Sequence, residues 1–185
     1  MGLRTSGALL LPLCATLVLA QKPVSTVTPG LAERRLAGVD IQAGRYKLPA
    51  DLHKNAVMME NDSNGLGGGD ESVEWDTPAC HVRVLSRYAD PNGPRTTYSA
   101  TVTRPEDQPA VSKPEPGSCA TFRGVGMGDP ASKALAAYGS RVTITPGKRP
   151  QTTLLHWEWQ NGTVLEITLD ANGLIIGLDL TGNVE

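Results

Sequence analysis

Leu154-Leu155-His156-Trp157-Glu158-Trp159-Gln160-Asn161-Gly162-Thr163-Val164-Leu165-Glu166-Ile167-Thr168-Leu169 decides the fold. Large apolar side chains fall on every second position: Leu155, Trp157 and Trp159 before the Gly, then Leu165, Ile167 and Leu169 after it. Period-two alternation is the mark of a strand with one buried face, so two strands and a hairpin are predicted. Asn161-Gly162 suggests a two-residue type I′ turn, but that turn pairs Trp157 with Glu166 and mixes the faces. A three-residue loop, Gln160-Asn161-Gly162 with Gly162 in a G1 bulge, pairs Trp157 with Leu165 and Leu155 with Ile167, keeping the apolar rows together. The bulged loop is therefore expected, with His156 opposite Glu166 and Glu158 on the same polar face.

Working outward, Leu174, Ile176, Leu178 and Leu180 alternate in the same way and predict a third strand. A turn at Asp170-Ala171-Asn172-Gly173 would set Leu169 against Leu174 and Ile167 against Ile176. Upstream, Asp129 is suited to cap a helix, Pro130 to its first position, Ala131 to Tyr138 to its body and Gly139 to its end. Ala131, Ala134, Leu135 and Tyr138 form its apolar stripe. Further back, Cys80 to Tyr88 reads as a strand, Asp90-Pro91-Asn92-Gly93-Pro94 as a turn and Thr96 to Thr103 as the returning strand. The expected class is α+β: an antiparallel sheet with a C-terminal helix followed by a three-stranded meander, and an N-terminal hairpin joined by a disulfide.

The ends and connections have different compositions. Met1 to Ala20 carries one charge, Arg4, and an apolar run too short to span a bilayer, ending in Val18 and Ala20 at a small-residue cleavage site; it reads as a signal peptide. Residues 21–36 read as a flexible lead-in and 37–183 as a single domain, interrupted by mobile loops at 61–72, rich in Gly and acid, and at 104–117, rich in Pro. Loss of Arg4 with the leader moves the balance from 17 basic and 19 acidic residues to 16 and 19. With no basic patch either, a nucleic-acid partner is not expected. Cys14 leaves with the leader. The remaining Cys80 and Cys119 would meet an oxidising compartment, which predicts a bridge between them in preference to two buried free thiols.

Candidate chemistry is sparse. Gly124-Val125-Gly126-Met127-Gly128 lacks the preceding βαβ pattern of a phosphate loop, and Asp129 occupies the helix N-terminus where an anion would bind, so it reads as a turn. Laid on a twelve-residue calcium loop, Glu60, Asp62, Asn64 and Glu71 fall on ligand positions, with Gly65 at the sharp turn. Glu60 stands where Asp is usual and Gly67 where an aliphatic residue is usual. Calcium is the one cofactor this pattern allows, against an acidic loop without a ligand. His53, His81 and His156 have no zinc-ligand spacing, and no nucleophile elbow or P-loop occurs. His156 with Glu158 and Glu166 could transfer protons but reads first as a cross-strand charge pair.

Gly126-Met127-Gly128-Asp129, Ala134-Leu135-Ala136-Ala137-Tyr138-Gly139 and the Trp-containing strand that follows carry a resemblance. From Phe122 to Leu180 the chain resembles the helix-plus-antiparallel-sheet module of small exported bacterial envelope proteins, namely outer-membrane assembly lipoproteins and the β-lactamase inhibitor protein fold. It departs from the lipoproteins in lacking a lipobox. The resemblance implies an envelope protein that works by binding, and carries across no functional residue. The expected function is that of an exported, periplasmic or secreted, non-enzymatic protein whose partner is a protein or envelope component. The alternative is a hydrolase or calcium-dependent protein using the Gly-rich acidic loop or the polar sheet face.

Overall fold

The computed structural model describes residues 31–41, 57–61, 68–90, 93, 95–104 and 119–183. Its strands are β1 (Arg35–Leu36), β2 (Val39–Asp40), β3 (Val57–Asn61), β4 (Gly69–Asp76), β5 (His81–Tyr88), β6 (Arg95–Thr103), β7 (Thr143–Pro146), β8 (Thr153–Glu158), β9 (Val164–Leu169) and β10 (Ile175–Thr181), with one helix, α1 (Ala131–Tyr138), between β6 and β7. Strands β3 to β10 form one eight-stranded sheet in the order β3-β4-β5-β6-β10-β9-β8-β7, every neighbouring pair antiparallel. It consists of two four-stranded meanders joined through their last strands, β6 and β10.

The architecture corrects the expected α+β class: the chain is mostly antiparallel β, and its helix is eight residues long. The predicted three-stranded meander is part of a larger sheet. Two features hid the rest. Gly69 to Ser72, assigned to a mobile loop, open β4, whose Val73 and Trp75 point into the core. Strand β7 has only four residues, with Ile144 and Pro146 exposed, and gives little apolar signal.

Registers around the deciding stretch agree with the bulged loop. Trp157 pairs with Leu165, Leu155 with Ile167 and His156 with Glu166. At the tip, Gly162 has φ +75° and lies against the Asn183 side chain, so a Cβ there would be both strained and obstructed. The following hairpin differs from expectation. Asp170 Oδ1 accepts the N–H groups of Asn172 and Leu174, which closes the turn one residue later; Leu169 pairs with Ile175, and Ile176 is extruded as a bulge. The bulge returns Leu178 and Leu180 to the inner face.

Pairing extends these faces across the sheet. Trp75, Val82, Val102, Leu178, Ile167 and Leu155 form one inner row, and Val73, Val84, Ala100, Leu180, Leu165 and Trp157 the next. All twelve side chains are buried. On the other face, Glu74, Arg83, Thr101, Asp179, Glu166, His156 and Thr143 make a polar row running from β4 to β7.

Helix α1, the β1–β2 hairpin and residues 119–130 pack with the inner rows. The helix carries no side-chain cap, contrary to the role expected of Asp129. Instead Asp129 Oδ2 accepts the Gly126 N–H at 2.8 Å and pairs with Lys133 Nζ at 2.8 Å, fixing the turn before the helix. Tyr138 and Ala134 face inward, and Trp157 Nε1 donates to the carbonyl of Gly139 at 3.2 Å. A disulfide joins Cys80 to Cys119, with Cα atoms 6.1 Å apart, and so ties the start of β5 to residues 119–130. The signal peptide and most of the 104–117 connection lie outside the described residues.

Candidate functional site

Residues 31–41 build one side of a groove. Leu36, Val39 and Ile41 are buried around a tight turn in which Ala37 (φ +50°) and Gly38 (φ +79°) both lie in the left-handed region, as a type I′ hairpin requires. Beside it, the chain leaving Cys119 pairs with β1: Leu36 bridges Thr121, and the Phe122 N–H donates to the Arg35 carbonyl at 3.0 Å. Alternation then decides what is seen from outside. Thr121 points in and is buried, while Phe122 points out with 73% of its surface exposed.

Phe122 lines an open groove of about 660 Å³ together with Leu31, 83% exposed, and the buried Trp159. Gln160 and Asn161, from the bulged loop, and Asp40 also border it. Among the described residues, four large hydrophobic side chains are exposed, and two of them meet here. Isolated exposed apolar residues are ordinary, but a pair lining one concavity marks a surface suited to binding.

Electrostatics give the groove a sign. Arg35 forms a bidentate pair with Asp40, Nε to Oδ1 at 3.0 Å and Nη2 to Oδ2 at 2.7 Å, and the hydrogen bond raises the Arg35 pKa. Its guanidinium also lies 5.7 Å from the centre of the Phe122 ring. Arg123 donates to the carbonyls of Ala137, at 2.6 Å, and Leu31, and covers the Tyr138 ring at 5.0 Å. Glu33 is buried behind the groove, accepting the N–H groups of Arg34 and Arg35 at 2.9 and 3.1 Å. The Tyr138 hydroxyl lies 2.8 Å from Glu33 Oε2 and 2.6 Å from Thr121 Oγ1. Burial pushes the Tyr138 pKa far above the ordinary phenol value, so the hydroxyl keeps its proton and donates it to Glu33. This network fastens the 31–41 segment to α1.

A second cleft, of about 400 Å³, lies on the polar face. Asp179 and Glu166 are cross-strand neighbours there, with Arg104, Lys148 and Arg149 among the lining groups. Burial raises the Asp179 pKa, opposed by hydrogen bonds that Thr181 and Thr101 donate at 3.0 and 3.1 Å. His156 Nδ1 is 3.1 Å from Glu166 Oε1, as the register predicted, with Glu158 on the same face. These groups form a cross-strand His156–Glu166 hydrogen bond beside a hydrogen-bonded carboxyl, set on a sheet face with no nucleophilic thiol among the described residues.

Of the four residues proposed for calcium, Glu60 and Glu71 lie among the described residues. Glu60 and Glu71 are partners across the β3–β4 pair, while Asp62 and Asn64 lie outside the described residues. Glu71 is buried and accepts from Arg95 Nε at 2.9 Å, so a guanidinium already supplies its counter-charge. Among the described residues, no three His, Cys, Asp or Glu side chains are placed to hold a metal ion. His81 pairs with Asp76, Nδ1 to Oδ1 at 2.9 Å, on the polar face; His53 lies outside the described residues.

No family model, curated protein or solved structure matches the chain. Sequence reasoning missed the groove because, of its apolar residues, Leu31 and Phe122 sit outside the periodic segments and Trp159 read only as a core residue of its strand. One signal was present: Phe122 is the chain's single Phe, placed between polar Thr121 and basic Arg123 three residues after a bridged Cys.

Proposed function

We propose that this protein is an exported, non-enzymatic binding module that holds a segment of another macromolecule in the groove between Leu31, Phe122 and Trp159. The observation that carries the reading is the pairing of two strongly exposed apolar side chains in one concavity. Folding gains nothing from leaving Phe122 in water, whereas a partner burying it would gain roughly 1.5 to 3 kcal/mol from that ring alone. The walls are held by the Cys80–Cys119 disulfide and the Glu33–Tyr138–Thr121 network, which gives a preformed rather than adaptable surface. Export is supported by the leader sequence and by the disulfide, which belongs to an oxidising compartment. No helix among the described residues is long and apolar enough to cross a membrane. The resemblance of residues 122–180 to envelope modules that act by binding supports the same reading.

Selection of a displayed random-peptide library on the immobilised protein tests it. Enriched peptides should lose binding to Phe122→Ser and keep it with Arg83→Ser, a change on the opposite sheet face. Failure to enrich any peptide, or equal binding to Phe122→Ser, would reject the groove as the docking surface.

A further inference from the structure

The groove carries more positive charge than its own carboxylates neutralise. Arg35 is matched by Asp40, and Glu33 is occupied by Tyr138 and two backbone N–H groups. Arg123 spends its hydrogen bonds on neutral carbonyls, and among the described residues no carboxylate forms an ion pair with it. Arg34 is exposed, and among the described residues no carboxylate pairs with it. Arg34, Arg35 and Arg123 against Glu33 and Asp40 thus leave one positive charge in excess around an apolar concavity, on a chain whose net charge is −2.

Resting on the reading of the groove as a docking surface, we infer that its occupant is a polypeptide segment of another protein presenting an apolar side chain flanked by carboxylates. The apolar side chain would rest against Phe122, Leu31 and Trp159. The carboxylates would meet Arg34 and Arg123, whose planar forks suit paired hydrogen bonds to them. Acidic flanks would also be steered toward this surface, and salt would weaken the complex. Residues 21–30 of this chain, which adjoin Leu31 in sequence, contain Lys22 and no carboxylate, so they do not supply this complement.

The test uses the full chain and three capped peptides that share a central Leu pair and differ in their flanks, which are Glu, Gln or Lys. Binding is read by fluorescence anisotropy at low and high salt. The Glu peptide should bind at low salt, the Gln peptide about tenfold more weakly and the Lys peptide more weakly still. Arg34→Glu should reverse the order of Glu and Lys peptides, and Phe122→Ser should abolish binding of all three. If the Gln or Lys peptide binds as tightly as the Glu peptide, the charge inference falls while the groove reading stands. Should the Glu peptide bind Phe122→Ser undiminished, it sits elsewhere and the inference is overturned. Binding that appears only after deletion of residues 21–30 would assign the groove to the chain's own segment and overturn it as well. Absence of binding by every peptide also rejects the inference, and the library selection then decides the groove reading separately.

Discussion

Replacing Trp157 with Ala should damage this protein more than almost any other single change, because three separate interactions end on that ring. The side chain is fully buried, pairs across the sheet with Leu165 and sits 5.6 Å from the Tyr138 ring centre. Losing a large buried ring costs roughly 3 to 5 kcal/mol, set by how far the cavity collapses. The Nε1–H bond to the Gly139 carbonyl goes as well, leaving an acceptor at the end of α1 without that donor, for about a further 1 kcal/mol. Against a total stability of about 5 to 15 kcal/mol, this removes much of the margin. Urea melts followed by far-ultraviolet circular dichroism measure it without relying on the deleted fluorophore. Trp157→Phe, which keeps a ring but not the donor, should fall between wild type and Ala. Glu158→Ala, one residue along on the polar face, should cost less than about 1 kcal/mol. Equal losses for Trp157→Ala and Glu158→Ala would mean that the two faces of β8 have been misassigned.

Three further changes probe the remaining supports. Reducing the Cys80–Cys119 bridge, which spans a sequence separation of 39, should cost roughly 4 kcal/mol of stability and speed amide exchange at Thr121 and Phe122; an unchanged melt would contradict its role. Tyr138→Phe takes a hydroxyl from the buried Glu33 and should cost about 1.5 to 3 kcal/mol, whereas a loss below about 0.5 kcal/mol would show that the network does not fasten the 31–41 segment. Asp179 has a raised folded-state pKa, so the native state holds its proton more tightly than the unfolded chain, and stability falls as pH rises from the unfolded toward the folded value. Asp179→Asn should remove that fall and be neutral or stabilising above this window; a melt series in which Asn is destabilising only at higher pH would reverse the assignment.

Period-two alternation was strong enough to place β5, β6, β8 and β9 and to choose the bulged β8–β9 loop, because only that register keeps Trp157 and Trp159 with Leu165 and Ile167. It failed where local chemistry shifted the count by one. At β10, the Asp170 carboxylate closes the turn later than an unbulged pairing allows, and the sequence gives no sign that Ile176 rather than Leu174 is the residue set aside. Strand β4 was concealed by the Gly and acidic residues that open it, since Glu71 is tolerated inside only because Arg95 reaches it. The β1–β2 hairpin was missed because Ala37-Gly38 lacks the Asn-Gly or Asp-Gly signature, though its backbone adopts the same turn. Of the groove, the sequence offered Trp159 and the Gln160-Asn161 loop as parts of a hairpin, and a lone Phe. Its concavity arises from three distant segments, 31–40, 122–123 and 159–161, which only the folded sheet and the disulfide bring together.

Photo-crosslinking in the cell that makes the protein tests the central claim most directly. With a benzophenone side chain at position 122, a discrete covalent adduct with a partner should form, diminished by the groove change Arg34→Glu. The same probe at position 83, on the polar face, should give none. Adducts at position 83 with none at position 122 would place binding on the polar face and contradict the account.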